Sequence, residues 1–198
     1  MEIPANRETR PLKRNAADRA FTVRAWRPGD DPALVAILRA QIQLDPGWPP
    51  AYARGGDLGK WLGAPATLGR WVAVDSREEP VGHVGIAPVA PGERAELWTT
   101  ALGCDISALA EVCRNLVEPG MRRTGVSAGL TRVALRAAID AGRVPVAAVL
   151  QDRQASLAMM LSAGWRVVGG VVGSSGRDLN LMIPGPRVLA AAQTGRAA

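Results

Sequence analysis

Residues 118–135, EPGMRRTGVSAGLTRVAL, place two arginines, a glycine and small side chains directly before an apolar pattern of helical period. Gly125 and the small residues after it let a ligand approach the main chain without meeting a bulky side chain. The free N–H groups of a helix start attract anions, and Arg122 and Arg123 add two full charges. The turn therefore predicts a pyrophosphate site, although a plain strand-to-helix turn with solvated arginines would have the same pattern.

Two side chains are candidates for a general base. His83 is the one histidine of the chain, and its ordinary pKa near 6.5 suits proton abstraction. It lies in VGHVGI, however, a strand pattern that favours a packed and hydrogen-bonded histidine over a base. Glu111 begins a predicted strand, and Glu96 just precedes a predicted helix; either could relay a proton through water or be merely solvated.

Charge along the chain argues against a nucleic-acid partner. The net charge is +6, but residues 1–20 carry five basic and three acidic groups, and residues 185–198 carry two arginines and no acid. About +2 is left for the body, too little for a surface that follows phosphates.

Cysteine spacing and hydropathy indicate which class of protein this is and where it is located. Cys104 and Cys113 match no metal or redox motif, so we expect reduced thiols and no metal. The first residues lack the apolar stretch of a signal peptide, and no apolar run has membrane-spanning length. We therefore expect a cytoplasmic protein without a membrane partner.

The first half of the chain predicts a strand, a helix and a hairpin. FTVRAW alternates as a strand does, and a helix follows from Asp30 or Asp31, with Leu34, Ile37 and Leu38 on its apolar side. The proline- and glycine-rich segment after it predicts a loop with a short helix at 58–62. RWVAVDSREEPVGHVGI then predicts a β-hairpin.

The second half predicts alternating strands and helices. The pattern indicates a short helix at 97–102, a strand at 111–117, a helix at 127–141 and a buried strand at 144–151. A helix at 154–163 and two strands joined by a glycine-serine turn complete the chain. The expectation is one mixed α/β domain over 21–184, between flexible extensions at 1–20 and 185–198.

This order, with its glycine turn, resembles the GNAT superfamily of acyl-CoA-dependent N-acyltransferases. The family pattern R/Q-x-x-G-x-G/A is matched by Arg122, Gly125 and Ser127, with serine in the last place. The resemblance runs from Phe21 to Ile183 and is strongest over 113–169. It implies the GNAT fold: a mixed, mostly antiparallel sheet, splayed between two strands and flanked by helices.

The resemblance also implies acetyl-CoA, or a close relative, as cosubstrate. In the family, exposed main-chain N–H groups of the strand before the glycine turn hold the pantetheine arm, and the turn holds the pyrophosphate. An amine attacks the thioester directly. The coenzyme-binding residues implied here are Leu116, Val117, Arg122, Arg123, Thr124, Gly125, Val126, Ser127, Ala128, Arg153 and Ser156.

The later family motif is matched less well. Counting back from Gly164 places Arg153 at the usual asparagine and Ser156 at the small position. Met160 takes the place of the tyrosine that protonates the departing thiolate in the family, and a thioether cannot do this. The one tyrosine, Tyr52, lies in the long loop and could replace it.

The aromatic residues give information about the amine acceptor. Four tryptophans surround the predicted acceptor loops, where they could form walls for an apolar or cationic acceptor or simply belong to the core: Trp48, Trp61, Trp71 and Trp98.

The sequence thus predicts an N-acetyltransferase that acts on a primary amine of a small molecule or peptide, with Glu111 or His83 as base. The alternative is a non-catalytic or regulatory acyl-CoA-binding module of the same fold. The sequence leaves the oligomeric state open, a homodimer included.

Overall fold

The computed structural model describes residues 20–45, 49, 54–63 and 68–189. Within these ranges seven strands form one sheet: β1 (Thr22–Ala25), β2 (Gly69–Val74), β3 (Pro80–Pro88), β4 (Leu109–Val117), β5 (Val144–Leu150), β6 (Trp165–Val172) and β7 (Asp178–Pro184). The same ranges contain five α-helices of six or more residues: α1 (Asp31–Leu44), α2 (Leu58–Gly63), α3 (Glu93–Leu102), α4 (Val126–Asp140) and α5 (Gln154–Ser162).

The strands lie in the order β1-β2-β3-β4-β5-β7-β6, and neighbours are antiparallel except for the β4/β5 pair. Parallel neighbours need a long crossover connection, and α4 supplies it. The predicted mixed, mostly antiparallel sheet is confirmed.

Helices cover both faces of the sheet. On one face, apolar residues of α4 and Met160 of α5 pack on the middle strands and form the first core cluster. The opposite face holds two separate clusters. In the second cluster, Ala95 and Trp98 of α3 pack on β5 and β7; in the third, Leu34 and Leu38 of α1 pack on β2 and the end of β4.

Between the second and third clusters lies a strip of the sheet that we call the central strip: Arg70, Gly85, Glu111 and Cys113. Gly85 pairs with both Arg70 and Cys113, and Ala87 pairs with Glu111. Directly opposed residues of neighbouring strands point to the same face. The strip therefore faces the side on which α1 and α3 lie.

A bulge interrupts β4 just beyond this strip. Opposite β3, the partners step from Cys113 with Gly85 to Leu116 with His83. Arg114 and Asn115 thus stand opposite Val84 alone, and Arg114 has a positive φ of 51°. The extra residue interrupts the regular alternation of β4, so that Arg114 lies on the same face as Cys113, over Trp61, whereas Asn115 bonds to Thr131 of α4 on the other face.

Most predicted elements form close to their expected bounds, with two extensions. Helix α3 begins at Glu93 rather than residue 97, and β4 begins at Leu109 rather than residue 111. Acidic residues occupy the first turn of α3, where they complement the helix dipole, but their polarity hides the helical period from an apolar pattern. At the C-terminal end, Val188 and Leu189 pack against the first cluster, although they fall in the predicted flexible extension.

Candidate functional site

The glycine turn joins β4 to α4. After β4, a 3-10 turn spans Pro119–Met121, and the hydroxyl of Thr124 donates a hydrogen bond to the carbonyl of Met121 at 2.7 Å. Gly125 is the N-cap of α4, with φ 90°, a conformation that favours glycine. A Cβ placed on Gly125 would meet no atom within 4 Å. The position is therefore fixed by backbone geometry and lies open on its outer side.

The start of α4 presents backbone donors at this open place. Its first ladder bond runs from the N–H of Gly129 to the carbonyl of Gly125, at 2.9 Å. The N–H groups of residues 126–128 precede that ladder and have no acceptor one turn back. With the helix dipole they form a cradle for an anion.

Side chains around the cradle divide by exposure. Arg122 and Arg123 are exposed, so their charges are free to move towards a ligand. Val126 is buried in the first cluster, so it can contribute to binding only through its main chain. The cradle thus combines fixed amides with two mobile cations.

The sheet opens next to the cradle. Pairing between β4 and β5 runs from Leu109 with Val144 to Val112 with Ala147. Beyond that point β4 continues to Val117 and β5 to Leu150 without pairing with each other. The two strands separate over their carboxyl-terminal halves, as the resemblance implied.

Strand alternation decides which amide of β4 faces this gap. The N–H of Glu118 donates to the carbonyl of Val81 on β3 at 2.8 Å. Because successive residues point their backbone groups to opposite sides, those of Val117 face away from β3, and those of Leu116 face towards it. The carbonyl of Val117 accepts a hydrogen bond from Gln41 of α1 at 2.7 Å.

Asn115 links β4 to the first turns of α4. Its side-chain amide donates to the hydroxyl of Thr131 at 2.9 Å and to the carbonyl of Ser127 at 3.3 Å. Asn115 could not be identified from the sequence, because an asparagine inside a strand pattern carries no local signal of a helix contact.

His83 is enclosed at the base of the bulge. Its side chain is 0% exposed; Nε2 lies 3.2 Å from Nε of Arg70, and Nδ1 lies 3.0 Å from the carbonyl of Arg114. Since Arg70 donates to Nε2, Nδ1 carries the proton and donates to that carbonyl. Burial lowers the pKa of His83 to about 4. The imidazole is neutral, and both of its nitrogens are hydrogen-bonded. It supports the bulge and has no free nitrogen with which to act as a base.

Glu111 occupies the central strip. Its carboxylate is paired with Arg94 of α3 at 2.8 Å, and its side chain is 15% exposed. Burial raises the pKa of Glu111, and the charge and hydrogen bond of Arg94 oppose that rise. A carboxylate whose pKa is raised above its ordinary value is better matched to proton abstraction near neutral pH.

The remaining members of the strip are not free bases or nucleophiles. Arg70 pairs with Asp31 at 3.0 Å and stacks on the ring of Trp26, 4.0 Å from its centroid. Burial raises the pKa of the Cys113 thiol to about 11, so this group is protonated at neutral pH. Among the titratable groups of this strip, Glu111 is the one suited to accept a proton.

The tryptophans hold different positions. Trp98 is completely buried in the second cluster, and Trp71 packs against the first. Trp61 packs against the third cluster, and the guanidinium of Arg114 lies 5.1 Å from its ring centroid. Trp48 and Tyr52 lie outside the described residues.

Residues of the later motif follow β5. Arg153 is the N-cap of α5 and forms ion pairs with Asp45 and Asp152. Ser156 is exposed, and Met160 is only 4% exposed within the first cluster. Because β4 and β5 are parallel, Arg153 and Ser156 lie at the same edge of the sheet as the glycine turn. Met160 is a core residue and offers no proton.

In the part of the chain that the structure describes, none of the helices has both the length and the hydropathy of a membrane span. Within the same residues, no three histidine, cysteine, aspartate or glutamate side chains come together as a metal site would require.

The sequence matches no protein-family model, and no curated protein is similar enough to count as a relative. Solved structures are similar at low identity. A GCN5-related N-acetyltransferase from Kribbella flavida has a TM-score of 0.63 at 20% identity, covering 82% of this chain and 96% of its own. The putative acetyltransferase yncA from Salmonella typhimurium, solved with its cofactor acetyl-CoA, has a TM-score of 0.58 at 17% identity, covering 82% and 92%.

A third similar structure is a spermidine N-acetyltransferase chimera from Vibrio cholerae and hSSAT. Its TM-score is 0.59 at 15% identity, and the match covers 87% of this chain and 98% of that one. The sheet order, the opening between β4 and β5 and these similarities together show that the chain has the GNAT fold.

Proposed function

We propose that this protein is an N-acetyltransferase that moves an acetyl group from acetyl-CoA to a primary amine. The observation that carries the proposal is the loss of pairing between β4 and β5 after Val112 and Ala147, directly before the anion cradle of α4. A gap beside a pyrophosphate cradle suits a long thioester with a diphosphate in its middle.

The residues present fit coenzyme A. The N–H groups of residues 126–128, together with Arg122 and Arg123, would hold the pyrophosphate, and the outward-facing backbone of Val117 would pair with the pantetheine arm. The open space outside Gly125 leaves room for phosphate oxygens. The similar structure of yncA contains acetyl-CoA, which supports the same assignment here.

Glu111 is the base in this proposal. A bound acetyl thioester supplies the acyl group: the amine nitrogen bonds to the acetyl carbon as the carbon–sulfur bond breaks. Glu111 takes the proton that the amine loses, directly or through one water, and Arg94 keeps the resulting acid in place. His83 has no free nitrogen for this task.

The departing thiolate receives its proton from water. Met160, at the position of the family tyrosine, is buried and cannot donate one. Because a free thiol has a pKa near 8.5, its thiolate is a fair leaving group without an acid. We therefore expect a slower reaction than in relatives that have the tyrosine.

The missing acid also favours the second candidate, a module that binds acyl-CoA without turning it over. Release of free thiol from acetyl-CoA in the presence of an amine panel separates the two. A binding module would take up acetyl-CoA and release no thiol above the rate without protein.

The coenzyme site is tested by calorimetric titration of coenzyme A into an Arg122→Ala, Gly125→Asp double variant. The change removes one cation and places a carboxylate at the cradle, so we expect affinity to fall by about 10-fold or more while the protein stays folded. The control is Gly120→Ala, because a Cβ there also meets nothing within 4 Å and φ is not positive. Equal affinities for wild type and double variant would contradict the assignment.

A further inference from the structure

Arg114 occupies a position for which its backbone conformation is unfavourable. It is the bulged residue of β4, with φ 51°, in the left-handed region that glycine and asparagine tolerate best. A long side chain in this conformation is strained. Arg123 has a similar φ of 64° but is exposed, whereas the guanidinium of Arg114 is held against Trp61.

The contacts of Arg114 do not include a carboxylate of the described residues. Its guanidinium lies over Trp61, and Nη1 approaches Sγ of Cys113 at 3.8 Å, which is a weak hydrogen bond. Its Nε is buried and finds no acceptor among the described residues. Buried N–H groups of charged side chains are nearly always bonded, so a ligand atom is the expected partner.

The other arginines of this face are neutralised. Arg94 is paired with Glu111, and Arg70 is paired with Asp31. Cys113 is an uncharged thiol, and His83 is neutral. The segments 46–53 and 64–67, which flank α2 in the chain, contain no aspartate or glutamate. Of these three arginines, Arg114 is the one without an ion pair to a carboxylate of the described residues.

The same contacts argue against a cationic acceptor. Arg114 lies over the ring of Trp61, and Arg70 lies over the ring of Trp26. The ring of Trp61, which the sequence suggested as a wall for a cationic acceptor, already holds a cation, and so does the neighbouring ring of Trp26.

We propose that the acceptor is a primary amine that also carries one carboxylate, and that Arg114 binds this carboxylate. The inference rests on the proposed transferase function and names its substrate class. Arg114 and Glu111 lie three residues apart on β4 and face the same side of the sheet. One acceptor molecule could therefore reach both, with its amine at Glu111 and its carboxylate at Arg114. A charge-assisted pair of hydrogen bonds to a guanidinium selects for a planar carboxylate.

The test is a turnover panel in which acid and non-acid acceptors are matched. Glycine, β-alanine, γ-aminobutyrate and ε-aminocaproate vary the distance between amine and carboxylate, and the twenty common amino acids vary the side chain. Each acid is run beside its amide, and spermidine represents cationic acceptors. Thiol release gives kcat/KM, and calorimetry on the coenzyme A complex gives acceptor binding.

Three variants separate charge from backbone shape. Arg114→Gly and Arg114→Asn remove the charge while favouring the left-handed conformation, so neither should unfold β4. Arg114→Lys keeps the charge without the planar fork. Arg166→Gln, an exposed arginine of β6, is the control for loss of one positive charge.

We expect at least one acid to exceed its amide in kcat/KM by about 10- to 100-fold, the range for a hydrogen bond to a charged group. Arg114→Gly and Arg114→Asn should abolish that preference by raising KM for the acid, Arg114→Lys should restore part of it, and coenzyme A affinity should not change. Amides or spermidine turned over as well as the acids, or a preference that survives in Arg114→Gly, would overturn the inference and leave the transferase proposal intact. If no amine releases thiol, the transferase proposal fails, and the binding titration decides the inference: acids bound in preference to amides only when Arg114 is present support it, and equal binding overturns it.

Discussion

At the scale of single residues, the two base candidates differ in what surrounds them. Both side chains lie on the face of the sheet that α1 and α3 cover. Both ring nitrogens of His83 are hydrogen-bonded, whereas Glu111 is partly exposed and pairs with one arginine. Sequence alone could not separate them, because the difference arises from Arg70 and Arg114, which the register brings to the histidine.

The pH dependence of turnover follows from the pair formed by Glu111 and Arg94. Glu111→Gln should lower kcat by about 100-fold or more, since a general base contributes at least that much. Arg94 lowers the pKa of Glu111, so Arg94→Gln should raise that pKa. The base would then be protonated over a wider acidic range, and the acid limb of kcat/KM would move to higher pH.

The kcat/KM of both variants is measured as a function of pH, from acid to neutral, with Arg166→Gln as the charge control. An acid limb that stays in place in Arg94→Gln would exclude Glu111 as the base. A full rate in Glu111→Gln would do the same.

At the scale of elements, the glycine turn could be predicted and the bulge could not. Glycine, small residues and a helical apolar period are local signals, and α4 begins at Val126, one residue before its predicted start. The bulge depends on the register between β4 and β3. Its left-handed position holds Arg114 where a glycine would be usual, so the sequence gives no sign of it. The point where β4 and β5 stop pairing could not be predicted either, because the strand pattern of each sequence segment continues beyond that point.

Close approach of α4 to the sheet depends on Gly82 of β3. A Cβ at this position would meet Val126 at 2.9 Å and the carbonyl of Leu116 at 3.0 Å. Gly82→Ala should therefore lower the free energy of unfolding by about 1 to 3 kcal/mol, the usual cost of overpacking. Because Val126 opens α4, the variant should also weaken coenzyme A binding.

Urea unfolding and coenzyme A titration measure the two effects, with Gly120→Ala as the unhindered control. Destabilisation without loss of coenzyme affinity would mean that α4 keeps its position and the sheet absorbs the added methyl group.

At the scale of the whole molecule, packing against the first cluster continues beyond residue 184, where the apolar pattern ends. The N–H of Gly185 donates to the carbonyl of Gly164 at 2.9 Å, and Val188 and Leu189 pack against the first cluster. A single helical turn after a proline is too short to give a periodic signal, so the sequence placed these residues in a flexible extension.

Two truncations test this boundary. Removal of 185–198 should lower the free energy of unfolding by about 2 to 4 kcal/mol, because two partly buried apolar side chains leave the core. Removal of 190–198 alone keeps Val188 and Leu189 and is the matched control. Equal urea midpoints for the two shortened proteins would show that these contacts contribute little.

The separation of β4 from β5 has a further consequence for the protein without its cosubstrate. An inner strand that has lost its neighbour leaves amide protons in the middle of a sheet within reach of water, although such protons are normally the slowest to trade with deuterium. The amide of Val117, which faces away from β3, should exchange early, whereas that of Leu116 should exchange late. A thioester laid along that strand would take the place of the missing neighbour, so deuterium uptake at one residue would report occupancy of the gap.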